Sequence, residues 1–278
     1  MDNKKSRFIC TSIKGANHAD KGLPCQDAAA TATLYHKGYK FFFMAVADGH
    51  GGDAYTRSDV GSFLALQAAS ESVNRFIIFV IDTFEKFPNN WIEMVKDDFQ
   101  GRFGKMLVNN WVRMVEAHAN DTENNPDDVI KLYGTTISIG LVFNNCFFSG
   151  KIGDGSIYSI SYQDKKFLVN NLFETDDKNS ENLGLATASL CSRDAYKKWQ
   201  MQVLFLEDIK MLFLVTDGFT DSLKDPKKEI LNYYFNLIKK GFTNFEFTIA
   251  QEIKQLSQKG VGDDISLVIF LPNLQGKV

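Results

Sequence analysis

A chain of 278 residues with 44% hydrophobic residues, including 24 phenylalanines, has enough apolar material for a packed core without disulfide help. Its net charge of −3 and pI of about 5.9 exclude the basic surface that nucleic-acid binding requires, so no nucleic-acid partner is expected. The same weak acidity gives no general attraction for an anionic substrate, so a phosphate site must carry its own positive charge.

The organisation of the sequence favours one cytoplasmic domain over residues 1–278, because no linker divides it. The polar N-terminus has no signal-peptide character, and the apolar runs are too short to cross a bilayer, so no membrane association is expected. The four cysteines are scattered without a CxxC pair, which favours reduced thiols over disulfides or a zinc site. They are Cys10, Cys25, Cys146 and Cys191.

The first third of the chain has strand patterns followed by two long helical patterns. Phe8–Ile13 alternates, Gly15–Gln26 is rich in loop-forming residues, and Tyr39–Ala47 is a dense apolar run that ends at glycines. Apolar residues at helical spacing predict helices over Asp53–Phe87, ended by Pro88, and over Trp91–His118. Polar Asp121–Asp128 is predicted to be a surface loop.

The rest of the chain alternates strand patterns with polar turns. The predicted strands are Thr135–Phe143, Cys146–Ser149, Ile157–Ser161, Phe167–Val169, Gln200–Leu206, Lys210–Thr216 and Ile265–Leu271. Asn144-Asn145 predicts a tight hairpin, Glu174–Asn182 a polar connection, and Pro226–Lys240 and Phe245–Lys259 amphipathic helices. Because hairpins join most strands, we predict an α+β layered sandwich with mainly antiparallel sheets and helices on its outer faces.

Several aspartates stand where a predicted strand meets a glycine-rich loop. They are Asp48 in AVADGHGG, Asp154 in KIGDGS, Asp217 in FLVTDGFTD and Asp263 in GVGDDIS, with Asp27 in PCQDA similar but lacking the glycine. If these strand ends converge, the clustered carboxylates repel one another unless they are protonated or neutralised. Hard divalent cations such as Mg²⁺ or Mn²⁺ are the natural neutraliser, and a pair roughly 4 Å apart could activate water and hold phosphate oxygens.

Each motif also has a simpler interpretation. A single Asp-Gly is most often a turn, which would suffice for Asp154 or Asp263 alone, and a lone His50 is more often structural or solvated. The LVTDG sequence resembles several unrelated phosphotransfer sites. AVADGHGG, in contrast, places an Asp, a His and three Gly at one strand end, which ordinary turn chemistry does not need.

Five motifs, taken in their order along the chain, resemble those of the metal-dependent Ser/Thr protein phosphatases of the PPM class, or type 2C. They are VADGHGG, GTT at Gly134–Thr136, GDG at Gly153–Gly155, LVTDGFTD and GDDIS. QDA at Gln26–Ala28 resembles the first acidic motif of the bacterial branch. The resemblance implies a four-layer α/β/β/α sandwich, with two antiparallel sheets flanked by helix pairs. It also implies hydrolysis of phosphoserine and phosphothreonine on proteins by water activated at two Mn²⁺ or Mg²⁺ ions, with a possible third ion.

The resemblance assigns a role to each matching residue. Asp48 matches the carboxylate that bridges both metals, Gly49 the residue whose carbonyl binds one of them, and Asp217 and Asp263 the other direct ligands of the first metal. Asp27 matches a residue that orients metal-bound water on the second metal.

Two further residues match functional positions of the family. Asp154 matches the acid of a third, weaker metal site, and His50 matches the general acid toward the leaving oxygen. The implied partners are a phosphoprotein substrate and a Ser/Thr kinase, and we expect a monomer.

The chain departs from the family pattern in its phosphate-binding residues. Many members have an Arg shortly before the first acidic motif, whereas this chain offers His18 or Lys21, either of which could be a plain loop residue. The GDSR-like segment reads GDGS, so its Arg is missing too. Three alternatives remain open: a degenerate domain that only binds a phosphoprotein or regulator, a phosphatase of small phosphoesters, and an unrelated phosphatase with Asp as covalent nucleophile.

Overall fold

The computed structural model describes residues 7–122, 129–174 and 188–272 and has two five-stranded antiparallel sheets at its centre. The first sheet has the strand order β1-β10-β9-β6-β7, and the second has the order β2-β3-β4-β5-β8. The strands are β1 (Arg7–Ile13), β2 (Ala28–His36), β3 (Tyr39–Ala47), β4 (Ile137–Phe143), β5 (Cys146–Ile152), β6 (Ser156–Gln163), β7 (Lys166–Asn171), β8 (Gln200–Phe205), β9 (Ile209–Val215) and β10 (Ile265–Leu271).

Helices cover the outer face of each sheet, which gives the four-layer α/β/β/α order and confirms the predicted fold class. The long helices are α2 (Ser58–Lys86), α3 (Trp91–Asp98) and α4 (Gly104–Thr122) on the second sheet, and α7 (Pro226–Lys240) and α8 (Phe242–Lys259) on the first. The short helices are α1 (Ala16–Asp20), α5 (Val129–Leu132) and α6 (Asp217–Asp221).

Three apolar layers hold this arrangement together because alternate residues of a strand face opposite sides of its sheet. Phe41 of β3 and Phe76 of α2 belong to the layer on the outer side of the second sheet. Val46 of β3 and Leu214 of β9 belong to the layer between the two sheets, which we call the interior layer. Phe245 of α8 packs on the outer side of the first sheet.

Helix α2 is long and apolar enough to cross a membrane by length and composition, although its continuous apolar runs, such as Phe76–Ile81, are short. Most of the apolar segment is buried inside the protein, where it contacts α4 and β3. Its apolarity is therefore accounted for by packing on the second sheet.

Several local predictions are confirmed with small changes in bounds. Asn144 and Asn145 adopt positive φ values of 44° and 65° in the predicted hairpin between β4 and β5. Helix α7 begins at Pro226, as predicted, and the Asp225 side chain accepts a hydrogen bond from the Lys228 backbone amide.

Other local predictions are wrong or incomplete. Strand β2 was not predicted, the Gly15–Gln26 loop contains α1, and α2 begins at Ser58 rather than Asp53. In the predicted loop Asp121–Asp128, the first two residues are still helical, and 123–128 lie outside the described residues. Most of the predicted connection Glu174–Asn182 also lies outside them.

The predicted helix Trp91–His118 is interrupted by a π-helical turn over Phe99–Phe103. The Trp199 indole N–H donates to the Phe99 carbonyl at 2.9 Å, and the Trp199 side chain covers Gly104 so closely that a Cβ there would lie 2.6 Å from it. The interruption thus coincides with the place where Trp199 is inserted beside the helix.

We expect Trp199→Phe to lower the free energy of unfolding by about 1–3 kcal/mol, because it removes a buried hydrogen bond and leaves unfilled volume. Urea unfolding followed by circular dichroism would measure the change. Tyr196→Phe, at an exposed position on the neighbouring turn, is the control and should change stability by less than about 0.5 kcal/mol. Equal stabilities of the two variants would contradict the role given to Trp199.

Candidate metal centre

Four predicted site aspartates lie at one end of the sandwich because the strands next to them end or begin there. Asp48 follows β3, Asp154 follows β5, Asp217 follows β9, and Asp263 precedes β10, which is antiparallel to β9. Both sheets therefore contribute carboxylates to the same region. Oxygen atoms of Asp48, Asp154 and Asp217 all lie within 4.8 Å of one another.

These carboxylates line an open cavity of about 360 Å³, which we call the acidic cleft. Every predicted site residue except Asp27 lines it, including Gly49, His50, His18 and Lys21. A separate cleft of about 310 Å³, beside β6 and the β8–β9 turn, contains none of these residues. Any chemistry of the clustered aspartates therefore takes place in the acidic cleft.

The electrostatics of the acidic cleft are unfavourable for the bare carboxylates. Burial raises the pKa of Asp48 well above its ordinary value, and the neighbouring Asp27 and a hydrogen bond with Asp217 raise it further. Burial also raises the pKa of Asp217, which receives that hydrogen bond. A hydrogen bond between two carboxyls needs a proton on one of them, and a divalent cation would remove the repulsion among these groups. The donor set, all carboxylate oxygens, fits Mn²⁺ or Mg²⁺.

Asp27 lies behind the cleft rather than at its surface. Its side chain is 8% exposed, and the Thr216 hydroxyl donates to it at 2.7 Å. Burial raises the pKa of Asp27 strongly, and the Thr216 hydrogen bond opposes this, while Asp264 adds to it. Asp27 therefore contacts Thr216 rather than the open space of the cleft.

The backbone around Asp48 is fixed by the GTT segment. The Asp48 carbonyl accepts hydrogen bonds from the Thr136 amide at 2.8 Å and from the Thr135 hydroxyl at 2.7 Å. Gly49 bridges to Thr135, and a Cβ at Gly49 would lie 2.6 Å from the carbonyl oxygens of Gln26 and Ser58. Only glycine fits at this position without movement of the backbone.

Asp264, which we did not single out from the sequence, anchors the loop that carries His18. Its side chain is 2% exposed and accepts from the backbone amides of Gly15 at 2.6 Å and Gln26 at 2.5 Å. Nδ1 of His18 lies 2.8 Å from the same carboxylate. This contact leaves Nε2 as the ring nitrogen with which His18 can contact a ligand. The GDDIS motif indicated a functional aspartate, but the sequence does not show which of its two carboxylates faces the interior of the protein.

Lys151 was also missed by the sequence analysis. It is half-buried, and its Nζ donates to the Gly155 carbonyl at 2.9 Å, within the loop that carries Asp154. Burial lowers the pKa of Lys151, and the charge of Asp154 opposes this shift. Its position at the end of β5 brings its amino group close to the loop of Asp154.

The cysteine beside the site has no nucleophilic character. Burial, followed by the charge of Asp264, raises the pKa of Cys25 to about 12, so its thiol is protonated near neutral pH. All four cysteines are free, as predicted from their spacing.

Asp48→Asn should stabilise the metal-free protein at pH 7 by on the order of 1 kcal/mol or more, because it removes a buried carboxyl that must either carry a charge beside its neighbours or bind a proton to avoid one. A carboxyl whose pKa is raised by folding stabilises the folded state fully below its ordinary value of 3.8. That contribution is lost as the pH rises through the raised value. The melting temperatures of variant and wild type should therefore converge in acid.

Thermal melts across pH in EDTA would measure this difference. Added Mn²⁺ should then raise the melting temperature of the wild type but much less that of Asp48→Asn. Asp53→Asn, at an exposed position outside the acidic cleft, is the matched control and should change neither quantity. A metal-free Asp48→Asn protein less stable than the wild type at pH 7 would contradict the repulsion inferred here.

Comparison with solved structures supports the fold on which this site is built. A bacterial serine phosphatase is 16% identical, with a TM-score of 0.60 and coverage of 99% of this chain and 100% of that chain. The catalytic domain of the serine/threonine phosphatase PstP, in complex with 2 manganese ions, is 16% identical, with a TM-score of 0.58 and coverage of 96% and 97%. Stp1 from Staphylococcus aureus is 15% identical, with a TM-score of 0.56 and coverage of 99% and 96%.

Comparison with known sequences gives the family. No curated protein sequence matches this chain significantly. The sequence profile described as Protein phosphatase 2C matches residues 14–255, which is most of the chain and includes Asp27, Asp48, Asp154 and Asp217. The resemblance predicted from the ordered motifs is confirmed, and the chain belongs to the protein phosphatase 2C family.

Proposed function

We propose that this chain is a metal-dependent phosphatase that hydrolyses phosphoserine and phosphothreonine on proteins. The observation that carries the proposal is the convergence of Asp48, Asp154 and Asp217, within 4.8 Å of one another, in a cleft that also contains His50 and His18. Membership of the protein phosphatase 2C family gives the reaction class. Phosphate-ester hydrolysis needs a cation site and hydrogen-bond donors for the phosphate oxygens, and the residues of the cleft could supply both.

The residues that would hold two Mn²⁺ or Mg²⁺ ions are the carboxylates of Asp48, Asp217 and Asp263 and the backbone carbonyl of Gly49. Asp154 would serve a third, weaker site, because it is exposed at the edge of the cleft. The manganese ions in the PstP catalytic domain support this choice of metal. When bound, such ions lower the pKa of a coordinated water and neutralise charge on phosphate oxygens.

The remaining residues act on the substrate. His18, held through Nδ1 by Asp264, and Lys21 offer hydrogen bonds to the phosphate oxygens in place of the arginine that many family members use. His50 donates a proton to the departing serine or threonine oxygen. Asp27 lies behind the cleft and orients a water through its neighbours.

The wider assignments follow from this activity. The substrate is a phosphoprotein, and a Ser/Thr kinase would supply it, so the two enzymes would act on the same sites. We further propose a single catalytic domain over residues 1–278 that acts as a monomer in the cytoplasm. The continuous interior layer between the two sheets supports the single domain, since neither sheet is covered on both faces without the other.

The alternative in which Asp217 acts as a covalent nucleophile is disfavoured by the fold. That mechanism was expected on an alternating α/β chain, whereas these sheets are antiparallel. The binding-only alternative was favoured by the missing arginine. His18 and Lys21 both line the acidic cleft, which weakens that argument. Hydrolysis of small phosphoesters uses the same site and differs only in substrate.

We expect Asp217→Asn to lower Mn²⁺-dependent hydrolysis of p-nitrophenyl phosphate by about a hundredfold or more, because bound cations contribute several kcal/mol to such reactions. The matched control, Asp53→Asn, should retain wild-type activity. Full activity of the wild type in EDTA, or of Asp217→Asn in Mn²⁺, would refute the metal-dependent mechanism.

The double variant His18→Ala/Lys21→Ala should raise the inhibition constant of inorganic phosphate by about tenfold or more, the effect of losing one charge-assisted hydrogen bond. The KM for a phosphothreonine peptide should rise in parallel. The Mn²⁺ dependence of activity should stay the same, since these residues contact the substrate and not the cations. Lys254→Ala, on an exposed face of α8, is the control. Unchanged phosphate inhibition would exclude both residues as phosphate ligands.

A further inference from the structure

The segment after Asp48 folds back so that two aromatic side chains meet beside the acidic cleft. The rings of His50 and Tyr55 are 5.0 Å apart between centroids, at an interplanar angle of 62°, which is an edge-to-face contact. Both side chains are half-buried, whereas residues 51–54 between them are exposed. The return is fixed by hydrogen bonds from the Tyr55 amide to the Gly52 carbonyl at 3.0 Å and from the Ser58 amide to the Tyr55 carbonyl at 3.1 Å.

Gly134 closes the other side of this contact. Its carbonyl accepts a hydrogen bond from the His50 amide at 3.0 Å, which ties the His50 backbone to the GTT segment. A Cβ at Gly134 would lie 2.5 Å from Cδ1 of Tyr55 and 2.9 Å from Cδ2 of His50. Both rings therefore occupy the space that a side chain at position 134 would need. The imidazole of His50 is held between a ring and a stretch of backbone.

We propose that Tyr55 is a positioning residue which, with Gly134, holds the imidazole of His50 in the orientation that delivers a proton to the leaving oxygen. The proposal rests on the proposed phosphatase function. In the reaction, water oxygen bonds to phosphorus as the bond from phosphorus to the ester oxygen breaks. The ester oxygen takes the proton of His50 and leaves as an alcohol, and the proton released by the water returns to the histidine through solvent.

The position of His50 then determines which esters are hydrolysed well. Serine and threonine alkoxides are strong bases and depart slowly without a proton, whereas p-nitrophenolate departs readily without one. General-acid catalysis contributes roughly a hundred- to ten-thousand-fold, and a misplacement of about 1 Å can remove about a hundredfold. Loss of the Tyr55 contact should therefore affect poor leaving groups selectively.

The first test needs no activity and uses the metal-free protein. The chain has four histidines, so the His50 ring protons can be assigned in a proton NMR spectrum by comparison with His50→Ala. In Tyr55→Leu, the His50 resonances should move toward the positions of an unstacked imidazole, while Tyr55→Phe retains the ring-current shift. Unchanged His50 resonances in Tyr55→Leu would overturn the contact.

The second test compares kcat for p-nitrophenyl phosphate with kcat for phenyl phosphate and a phosphothreonine peptide. Tyr55→Leu and Gly134→Ala should each lose about tenfold or more on the two poor leaving groups and less than about twofold on p-nitrophenyl phosphate. Tyr55→Phe should restore wild-type selectivity. Tyr35→Leu, at an exposed tyrosine on β2, is the control for the loss of a surface ring. Equal losses on all three substrates, or none on the poor leaving groups, would overturn the proposal.

His50→Ala separates this inference from the function on which it rests. If the wild type shows no Mn²⁺-dependent hydrolysis, the proposed function fails and the positioning role fails with it. If His50→Ala loses activity selectively on poor leaving groups while Tyr55→Leu does not, only the positioning role is overturned. If both are selective, Tyr55→Leu should cause no further selective loss in the His50→Ala background, because the residues act as a unit.

Discussion

The repulsion among carboxylates in the acidic cleft is the constraint on which the rest of the structure depends. Burial is the main cause of the raised pKa values of Asp27, Asp48 and Asp217, and the charges of neighbouring aspartates add to it, so the folded chain holds these groups together against their electrostatic preference. The three apolar layers and the hydrogen bonds of the GTT segment oppose that repulsion. A bound divalent cation would relieve this repulsion. The arrangement that lowers the stability of the metal-free protein would therefore raise its affinity for the cation.

Histidine and lysine side chains lie around this cluster of carboxylates. Asp264 is buried and its carboxylate contacts the loop of His18, whose imidazole also lines the acidic cleft. Lys151 donates to the Gly155 carbonyl in the Asp154 loop, and the ring of His50 contacts that of Tyr55. His18, Lys21 and His50 line the same cleft as the clustered aspartates, so groups that can donate hydrogen bonds lie near the carboxylates although the net charge of the protein is negative.

The sequence predicted much of this structure, and the failures have physical reasons. Strands such as β3 and β10 were recognised because they are continuously apolar, whereas the small, alternating residues of β2 (AAATATLYH) hardly differ from a loop in composition. The clustering of Asp48, Asp154 and Asp217 was predictable because each adjoins a strand end and a glycine. The contact between Tyr55 and His50 was not, since it depends on the path of an exposed turn that leaves no periodic pattern.

The two halves of the cleft belong to different sheets, because Asp48 follows a strand of one and Asp217 a strand of the other. The interior layer therefore acts as a spacer whose thickness fixes the distance between these charges. Changing the volume of Val46 or Leu214 would alter the packing between the two sheets and with it this distance. Side-chain volume deep in the sandwich thus contributes to the geometry of the acidic cleft.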